Sequence, residues 1–250
     1  MGMLDGHVVV ITGGASGMGR ATAHAAASAG ASVAVWDLNE KAARDVAGAV
    51  NGRAFACDVC DADAVSTAAD ATIAAYGRVD GLLNSAGILL VEGGVDTCSL
   101  VDWDRVINTN LRSVFLVSKY LMPELRRSGR GSIVNIASLY GQRGYPDECA
   151  YDASKGGVVN LTRHMAIQHT REGVRVNAVA PGEILTPMTR ALFVPDVPDE
   201  EQIASIAARV PMGRMGRPEE VAAVIVFLLS ESASYVSGAI VPVDGAFAAG

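Results

Sequence analysis

Two side chains spaced one helical turn apart are suited to proton transfer. Tyr151 and Lys155 occupy positions i and i+4, a spacing that places the phenol and the ammonium on the same face of a helix. An isolated phenol titrates near ~10, which is too high for proton exchange at neutral pH. A neighbouring positive charge favours the phenolate and lowers that pKa. Together with Ser138, these residues indicate acid/base chemistry on an oxygen atom.

A glycine-rich loop near the amino end predicts a nucleotide site. The apolar run Val-Val-Val-Ile at positions 8–11 leads directly into a Thr-Gly-Gly-Ala-Ser-Gly-Met-Gly segment. A helix that starts there would direct main-chain N–H groups and its positive end towards a pyrophosphate. The spacing Gly-x3-Gly-x-Gly differs from the general dinucleotide fingerprint, so a simple strand-to-helix turn is the alternative interpretation. The expected contacts are Gly13, Ser16, Gly17, Met18 and Gly19.

An acidic residue at the end of the second predicted strand indicates which dinucleotide binds. Asp37 lies 18 residues after Gly19, near the offset expected for an acid that binds ribose hydroxyls. Its charge would repel the 2′-phosphate of NADP, and neither Ser16 nor Leu38 supplies a compensating cation. We therefore expect NAD, with Asp37 and Leu38 beside its ribose. A solvated acidic residue at a strand end is the alternative.

Composition limits the function classes. The chain has 250 residues, of which 50% are hydrophobic, and a net charge of −7. An acidic surface opposes binding to nucleic acid or anionic membranes. With no apolar run long enough for a membrane span and no signal-peptide pattern, we expect a cytoplasmic protein. Four Cys residues fit reduced thiols, and the Cys57–Cys60 spacing has no second pair or His cluster that would complete a metal site.

The order of the elements predicts a single α/β domain over residues 1–250. Short β-branched runs alternate with longer alanine-rich amphipathic stretches, which is typical of parallel strands joined by helices. We expect seven strands, at about residues 7–12, 32–37, 53–57, 81–84, 132–137, 175–180 and 239–243. We expect six helices, at about 17–29, 40–50, 62–76, 100–127, 150–171 and 218–230. Residues 190–209 are irregular and acidic and contain Pro195 and Pro198, so we expect a lid over the substrate at about residues 188–212.

These motifs together resemble the short-chain dehydrogenase/reductase family over nearly the whole chain. The resemblance implies a Rossmann-type, doubly wound, parallel seven-stranded sheet with helices on both faces. It also implies a catalytic tetrad of Asn110, Ser138, Tyr151 and Lys155. Tyr151 would exchange the proton with the substrate oxygen and Ser138 would hydrogen-bond that oxygen. Lys155 would bind the nicotinamide ribose and lower the pKa of Tyr151, and Asn110 would order a water next to Lys155. No metal is implied.

The resemblance extends to further cofactor contacts. Asp58 and Val59 match the pair that contacts adenine. A Ser85 replaces the second Asn of the family's Asn-Asn-Ala-Gly stretch, and Ala246 replaces a usual Gly, where we expect a local effect. The remaining implied contacts are Tyr151 and Lys155 themselves, Asn84, Ala86, Gly87, Pro181, Gly182, Ile184, Thr186 and Met188.

Three segments that meet over the nicotinamide should determine the substrate: residues 89–94, 139–149 and 188 to about 209. They contain both apolar and polar side chains. Leu90 and Leu192 suggest an apolar wall, whereas Glu92, Glu148 and Glu183 could hydrogen-bond a polyol or sugar. Arg143 could hold a carboxylate, although a surface arginine is the alternative. The predicted substrate contacts are Leu90, Glu92, Tyr140, Arg143, Tyr145, Glu183 and Leu192.

We therefore expect an NAD-dependent oxidoreductase that interconverts a secondary alcohol (a polyol, a sugar or a hydroxylated ring) and its ketone. The alternative within the family is a reductase of the 3-oxoacyl carrier-protein type. Two alternatives come from other classes: a halohydrin dehalogenase-like lyase, which pairs Tyr with Arg, and a non-catalytic nucleotide-sensing scaffold. The family resemblance also implies a homotetramer, with a small molecule as the only other partner.

Overall fold

Seven strands build one parallel sheet in the computed structural model, which describes residues 2–249. Their spatial order is β3-β2-β1-β4-β5-β6-β7, so the sheet grows in opposite directions from β1 and β4. This is the doubly wound arrangement that the sequence predicts, and it leaves a crevice beyond the carboxyl ends of β1 and β4. The strands are β1 (Val8–Thr12), β2 (Ser32–Asp37), β3 (Arg53–Ala56), β4 (Gly81–Asn84), β5 (Gly131–Ile136), β6 (Val174–Pro181) and β7 (Ile240–Val243).

Helices cover both faces of the sheet. Over the described residues they are α1 (Gly17–Ser28), α2 (Glu40–Ala49), α3 (Ala62–Tyr76), α4 (Leu100–Ile107), α5 (Ser113–Ser128), α6 (Cys149–His169), α7 (Pro187–Arg190), α8 (Asp199–Ala207) and α9 (Pro218–Leu229). Every predicted strand is present, with bounds that differ by at most one residue. The short helices α7 and α8 fall inside the predicted lid segment. None of the helices in residues 2–249 is both long and apolar enough to cross a bilayer.

Alternating side chains of the strands build two separate cores. Val9 and Ile11 of β1 lie in the core that packs against α1, α2 and α9. Val10, between them, lies in the core that packs against α3, α5 and α6. Successive side chains of a strand point to opposite faces, and a parallel sheet is covered on both. All five residues of β1 are therefore buried.

The predicted helix at 100–127 is interrupted in the structure. Residues Asn108–Arg112 form one wide π-helical turn between α4 and α5. Such a turn holds one extra residue per turn and is common at functional sites. It contains Asn110, one of the predicted catalytic residues, and no local pattern in the sequence distinguishes it from a continuous helix.

The predicted effect at Ala246 is visible in the backbone. Ala246 has a φ of 70°, one of three positive values at non-glycine residues of the described chain. A side chain at such a φ is strained, whereas glycine is not. The Asp244 carboxylate accepts a hydrogen bond from the Ala246 N–H at 3.0 Å, which helps to hold this turn.

A buried carboxylate joins the amino ends of three strands. The Asp80 side chain is fully buried and accepts a hydrogen bond from the Val8 main chain at 2.9 Å. It also accepts hydrogen bonds from Arg78 and Arg130, both at 3.0 Å. Burial alone would raise the pKa of Asp80, but the hydrogen bonds from Arg78, Val8 and Arg130 together lower it below its ordinary value. Every charge here has a partner, at the sheet edge opposite the crevice.

Replacing Asp80 with Asn should lower the free energy of unfolding at pH 7 by about 2–4 kcal/mol, because two arginines and an N–H lose their carboxylate. The contribution of a carboxyl with a lowered pKa is present above its unfolded-state pKa and is lost as the pH falls through its folded-state pKa. Denaturant unfolding should therefore show a difference between the two proteins that shrinks from pH 7 to about pH 3. The exposed Asp70→Asn variant is the control. A pH-independent difference would contradict this account.

Candidate active site

The tetrad residues converge near the carboxyl ends of β4 and β5. Tyr151 and Lys155 lie in the first two turns of α6, and Ser138 follows β5 directly. Ser138 and Lys155 are each 5% exposed, so both are shielded from bulk water. The Ser138 hydroxyl acts on the Tyr151 phenol in the direction that favours the phenolate. The structure thus brings together the three residues that the sequence links only by spacing.

Lys155 is held by the sheet. Its Nζ donates a hydrogen bond to the main-chain carbonyl of Ile136 at 2.9 Å and lies 5.6 Å from the centre of the Tyr151 ring. Burial lowers the pKa of Lys155 from 10.5 to about 8. An ammonium with a pKa near neutrality changes its charge easily, which suits a group that works beside a titrating phenol.

The pKa of Tyr151 differs from the sequence-based expectation. In the chain alone, burial raises the pKa of the phenol above its ordinary value, and the carboxylates of Glu148, Asp152 and Glu183 add to the effect. The Ser138 hydroxyl acts in the opposite direction but has a smaller effect than burial. Lys155 by itself therefore does not lower the pKa of Tyr151 below its ordinary value. The predicted lowering requires a further positive charge at the site.

Asn110 uses its side chain to hold the loop after β4. Its Oδ1 accepts a hydrogen bond from the Ile88 N–H at 2.8 Å, and its Nδ2 donates to the Ile88 carbonyl at 2.9 Å. The Nδ2 also donates to Ser154 Oγ, at 3.2 Å. Both amide protons are thus engaged, and the side chain links this loop to α6. The predicted role of Asn110 in ordering a water beside Lys155 stays a prediction.

Close backbone packing shapes the nucleotide crevice. A Cβ atom on Gly13, whose φ is 61°, would lie 2.8 Å from the Cα of Ala86, so no larger residue fits there. Thr12 Oγ1 accepts hydrogen bonds from the N–H groups of Ser85 and Ala86 at 3.0 and 3.2 Å. These contacts bring the glycine loop after β1 against the turn after β4, at the point where the sheet changes direction.

The residues of this crevice fit a dinucleotide. Ser16, at the N-cap of α1, makes no side-chain cap hydrogen bond, so the first-turn N–H groups are free to bind an anion. Asp37 accepts hydrogen bonds from Ala15 N at 3.0 Å and Asn39 N at 2.9 Å, which fix its carboxylate at the rim. The crevice has a volume of about 450 Å³, and its lining includes Gly13, Ser16, Gly17, Met18, Asp37, Leu38, Asp58, Val59, Ala86, Gly87, Thr186 and Met188.

A second cavity, of about 460 Å³, adjoins the crevice and is lined by Ser138, Tyr151 and Lys155 of the tetrad, so we call it the tetrad cavity. The predicted contacts Ile184, Pro181 and Gly182 line it, as do Tyr140, Tyr145, Glu183 and Leu192 of the predicted substrate set. Met18, Ser85, Gly87, Ile88, Thr186 and Met188 line both spaces, so a ligand bound in one can reach the other. Residues of α7, α8 and the loop between them form one wall, as expected for the lid segment.

One ion-pair network crosses the mouth of this cavity. Tyr140 donates a hydrogen bond to Glu183 Oε1 at 3.0 Å, and Arg209 lies 3.5 Å from the same oxygen. Arg209 also donates to the hydroxyl of Tyr145 at 3.2 Å. The network joins the lid segment to the loop after β5 and engages the polar groups on that side of the cavity.

Five predicted contacts lie outside the lining of these two spaces. Gly19 is buried, and a Cβ atom on it would lie 2.2 Å from the Gly13 carbonyl oxygen. Asn84 is buried inside the sheet, where its Nδ2 donates to Asn135 at 2.8 Å and Ser118 at 3.2 Å. Arg143 donates to the Phe247 carbonyl at 3.4 Å and stacks over its ring. Leu90 and Glu92 are outside the cavity wall, to which Leu89 contributes instead. Sequence position identifies the correct loops here but not the direction of each side chain.

Comparison with known proteins identifies the family. Residues 13–247 match the family model described as enoyl-(acyl carrier protein) reductase, a model of short-chain dehydrogenases and reductases. The chain belongs to the short-chain dehydrogenase/reductase family. It is therefore an oxidoreductase, as the motifs predict.

Characterised members of the family align along their full length. The chain is 40% identical over 253 residues to the 3-oxoacyl-[acyl-carrier-protein] reductase of Thermotoga maritima, covering 97% of this chain and 98% of that one. It is 41% identical over 247 residues to the cis-4-hydroxycyclohexanecarboxylate dehydrogenase of Sinomonas cyclohexanicum, covering 97% and 96%. The crystal structure of levodione reductase superposes with a TM-score of 0.92 at 37% identity, covering 98% of this chain and 99% of the other.

Sequence reasoning missed several residues that line the two spaces of this family member. Thr109 and Arg105 line the nucleotide crevice, and Arg209 and Gln202 line the tetrad cavity. Gln202 and Arg209 belong to no sequence motif. Their position in the predicted lid segment was the signal that could have identified them.

The Cys57–Cys60 pair shows no reactive character. Burial raises the pKa of the Cys57 thiol to about 12 and also raises that of Cys60, which opposes thiolate formation. Cys60 donates a hydrogen bond to Thr109 at 3.6 Å. Among residues 2–249 no group of His, Cys, Asp and Glu has an arrangement that could hold a metal ion.

Replacing Lys155 with Met should stabilise the cofactor-free protein at pH 7 by about 1–3 kcal/mol, because it removes a buried ammonium. The lowered pKa of Lys155 means that the folded chain binds fewer protons than the unfolded chain between pH 8 and pH 10.5. The wild-type protein should therefore gain stability over that range, and the difference from the variant should narrow. Thermal unfolding at several pH values measures this, with the exposed Lys119→Met variant as control. A variant that is less stable at every pH would contradict it.

Proposed function

We propose that this protein is an NAD-dependent oxidoreductase that interconverts a secondary alcohol and its ketone, with Tyr151 as general acid/base. The observation that carries the proposal is the arrangement of Ser138, Tyr151 and Lys155 on one wall of a cavity that opens into the nucleotide crevice. A substrate oxygen at this wall would lie beside the phenol, while its carbon would face the crevice.

Each tetrad residue has a physical role in this proposal. The bound nicotinamide supplies the hydride acceptor or donor. Tyr151 takes the proton from the carbinol oxygen on oxidation and returns it to the carbonyl oxygen on reduction. Ser138 donates a hydrogen bond to that oxygen, preorganised for the charge that develops on it. Lys155, buried and held by the Ile136 carbonyl, places its positive charge near the phenol and within reach of a ribose in the crevice. Asn110 keeps the loop after β4 against α6.

Two features of the rim support NAD over NADP. The Asp37 carboxylate is fixed by two main-chain N–H groups, so it cannot turn away from a ribose placed at the end of β2. Leu38, which is 74% exposed, supplies no charge to neutralise a 2′-phosphate. A phosphate at that position would meet an uncompensated negative charge.

A reductase of 3-oxoacyl carrier-protein substrates is the second candidate. It is supported by the 40% identity to the Thermotoga maritima enzyme along nearly the whole chain. The tetrad would act in the same way on either substrate. Asp37, which opposes NADP, counts against this candidate, and the lid segment from Thr189 to Arg209, which lines one side of the cavity, favours a small alcohol over a carrier-bound chain.

We also propose that the protein acts in the cytoplasm as a homotetramer. Large apolar side chains stand exposed on the outer faces of α4, α5 and α6: Leu100 is 83% exposed, Phe115 51% and Ile167 85%. Exposed apolar residues on neighbouring helices are typical of surfaces that another subunit covers.

Replacing Tyr151 with Phe should reduce turnover of any alcohol or ketone substrate by about 10²–10⁴-fold, because the proton has no donor or acceptor. The dissociation constant for NADH should stay within about threefold, since the phenol is not needed to hold the dinucleotide. Steady-state kinetics and fluorescence titration with NADH measure the two effects. Tyr235→Phe, at a fully exposed tyrosine, is the matched control. Retained turnover would remove Tyr151 from its role, and a wild type that binds NADH but oxidises nothing would favour the sensing scaffold.

Replacing Asp37 with Ser together with Leu38 with Arg should change the cofactor preference. Removing the negative charge and adding a cation should raise the ratio of kcat/KM with NADP to that with NAD by about 100-fold. The wild type should prefer NAD, measured on the same alcohol. Leu38→Arg alone keeps the carboxylate and should give a smaller change. The role of Asp37 in selecting NAD would be refuted if the wild type prefers NADP, or if the double substitution does not change the ratio of kcat/KM values.

A further inference from the structure

One carboxyl group in the tetrad cavity is not used by the mechanism. Glu148 is the N-cap residue of α6, three positions before Tyr151, and its side chain lines the cavity although the residue is only 7% exposed. Its side chain makes no cap hydrogen bond, unlike Asp61 at the start of α3, which accepts two. Residues i and i+3 lie on the same face of a helix start, so Glu148 and Tyr151 face the same space.

No residue between positions 2 and 249 donates a hydrogen bond to the Glu148 carboxyl. Glu148 Oε2 is buried without a hydrogen-bond partner among the described residues, as are both carboxylate oxygens of Glu92 nearby. The ionisable groups that act on Glu148 are the carboxylates of Asp152, Glu92 and Glu183, and burial together with their charge raises the pKa of Glu148 to about 7. A buried acid without a donor is costly, so functional sites are where such groups persist.

The cations of the cavity are already engaged. Arg209 binds Glu183 and Tyr145, and Lys155 donates to the Ile136 carbonyl. The hydroxyl of Tyr140 likewise donates a hydrogen bond to Glu183. With these groups engaged, a ligand that fills the cavity is the candidate donor for Glu148.

The charges around the cavity determine the chemistry of that donor. A carboxylate or phosphate would be repelled by Glu148, Glu92 and Glu183, whereas the positive charges of Lys155 and Arg209 weaken the attraction of these carboxylates for an ammonium. A hydroxyl group is neutral, and it can donate to a carboxylate or accept from a carboxylic acid. It suits Glu148 in either protonation state.

We propose that Glu148 is a specificity-determining residue whose carboxyl hydrogen-bonds a second hydroxyl of the substrate, so that the substrate class is a diol or polyol. This inference rests on the proposed alcohol oxidoreductase function. From the i, i+3 separation of Glu148 and Tyr151, the second hydroxyl is assigned to the carbon next to the reacting carbinol. The reacting hydroxyl meets Ser138 and Tyr151, and its neighbour meets Glu148.

The test compares two alcohols that differ by one hydroxyl. Initial rates with NAD⁺ are measured for cyclohexanol and for the cis and trans isomers of 1,2-cyclohexanediol, with wild type, Glu148→Ala and Glu148→Gln. The wild type should have a kcat/KM at least about tenfold higher for one of the diols than for cyclohexanol. Glu148→Ala should reduce that ratio about tenfold or more, mainly through the KM of the diol, since Glu148 does not touch the reacting atoms. Glu148→Gln keeps a hydrogen-bond acceptor of similar shape, so it should retain most of the wild-type ratio of kcat/KM for the diol to that for cyclohexanol.

The controls separate specificity from folding. NADH titration shows whether Glu148→Ala keeps an intact nucleotide crevice. Glu219→Gln changes an exposed carboxylate of α9 outside the cavity and should preserve the diol preference. Equal losses on the diol and cyclohexanol, or a ratio that Glu148→Ala does not alter, would overturn the inference.

Two further results are decisive. A preference for 2-aminocyclohexanol over both diols would show that Glu148 binds an ammonium group, and it would refute the diol or polyol substrate class. A wild type that oxidises none of these alcohols and reduces none of the corresponding ketones would refute the proposed function itself. A wild type that is active on cyclohexanol but shows no diol preference would refute only the role of Glu148.

Discussion

The reversal of strand order between β1 and β4 is the constraint on which the rest of the molecule depends. All seven strands run parallel, so their carboxyl ends meet at one edge, and the loops after β1 and β4 must leave in opposite directions. The space between them is a crevice only if the two turns approach closely enough to close its floor. Gly13 packs against Ala86 at a distance that excludes a side chain, and Thr12 binds the same turn. The nucleotide crevice and the tetrad cavity both form around this contact.

Buried charged side chains have partners at the amino ends of the strands and few partners at the carboxyl ends. At the amino ends, Asp80 is buried but satisfied by two arginines and a main-chain N–H, so its charge stabilises the fold. At the carboxyl ends, Lys155 and Glu148 are buried with few partners, and burial shifts the pKa of each towards neutrality. Groups that titrate near neutral pH are useful in acid/base and binding chemistry, at a cost in stability. The paired Asp80 carboxylate therefore adds to the stability of the fold, whereas Lys155 and Glu148 reduce it and are available for chemistry.

Members of this family with similar overall structure carry names that refer to different substrates, including a carrier-protein-bound oxoacyl group and a hydroxycyclohexanecarboxylate. The roles proposed for the tetrad and the glycine loop concern only the reacting oxygen and the dinucleotide, so they are compatible with different substrates. The segments after β4, β5 and β6 and the lid segment line the rest of the cavity, where the remainder of a substrate would lie. Here those segments contribute Glu148, Glu183, Tyr145 and Arg209, and their polar groups are the basis for proposing a hydroxyl-rich substrate.

The sequence by itself determined the family, the doubly wound sheet, the strand bounds to within a residue, and the placement of Tyr151 and Lys155 on one helix face, because alternation and i, i+4 spacing are local properties. Tertiary structure decided what depends on neighbours distant in sequence. The π-turn at Asn110 interrupts a helix that the sequence pattern predicts as continuous. The Asn84 side chain points into the sheet because Asn135 and Ser118 accept hydrogen bonds from it. Arg143 stacks on Phe247 away from the cavity. The pKa of Tyr151 and the unpartnered carboxyl of Glu148 follow from burial, which is set by packing between separate elements and cannot be read from either segment alone.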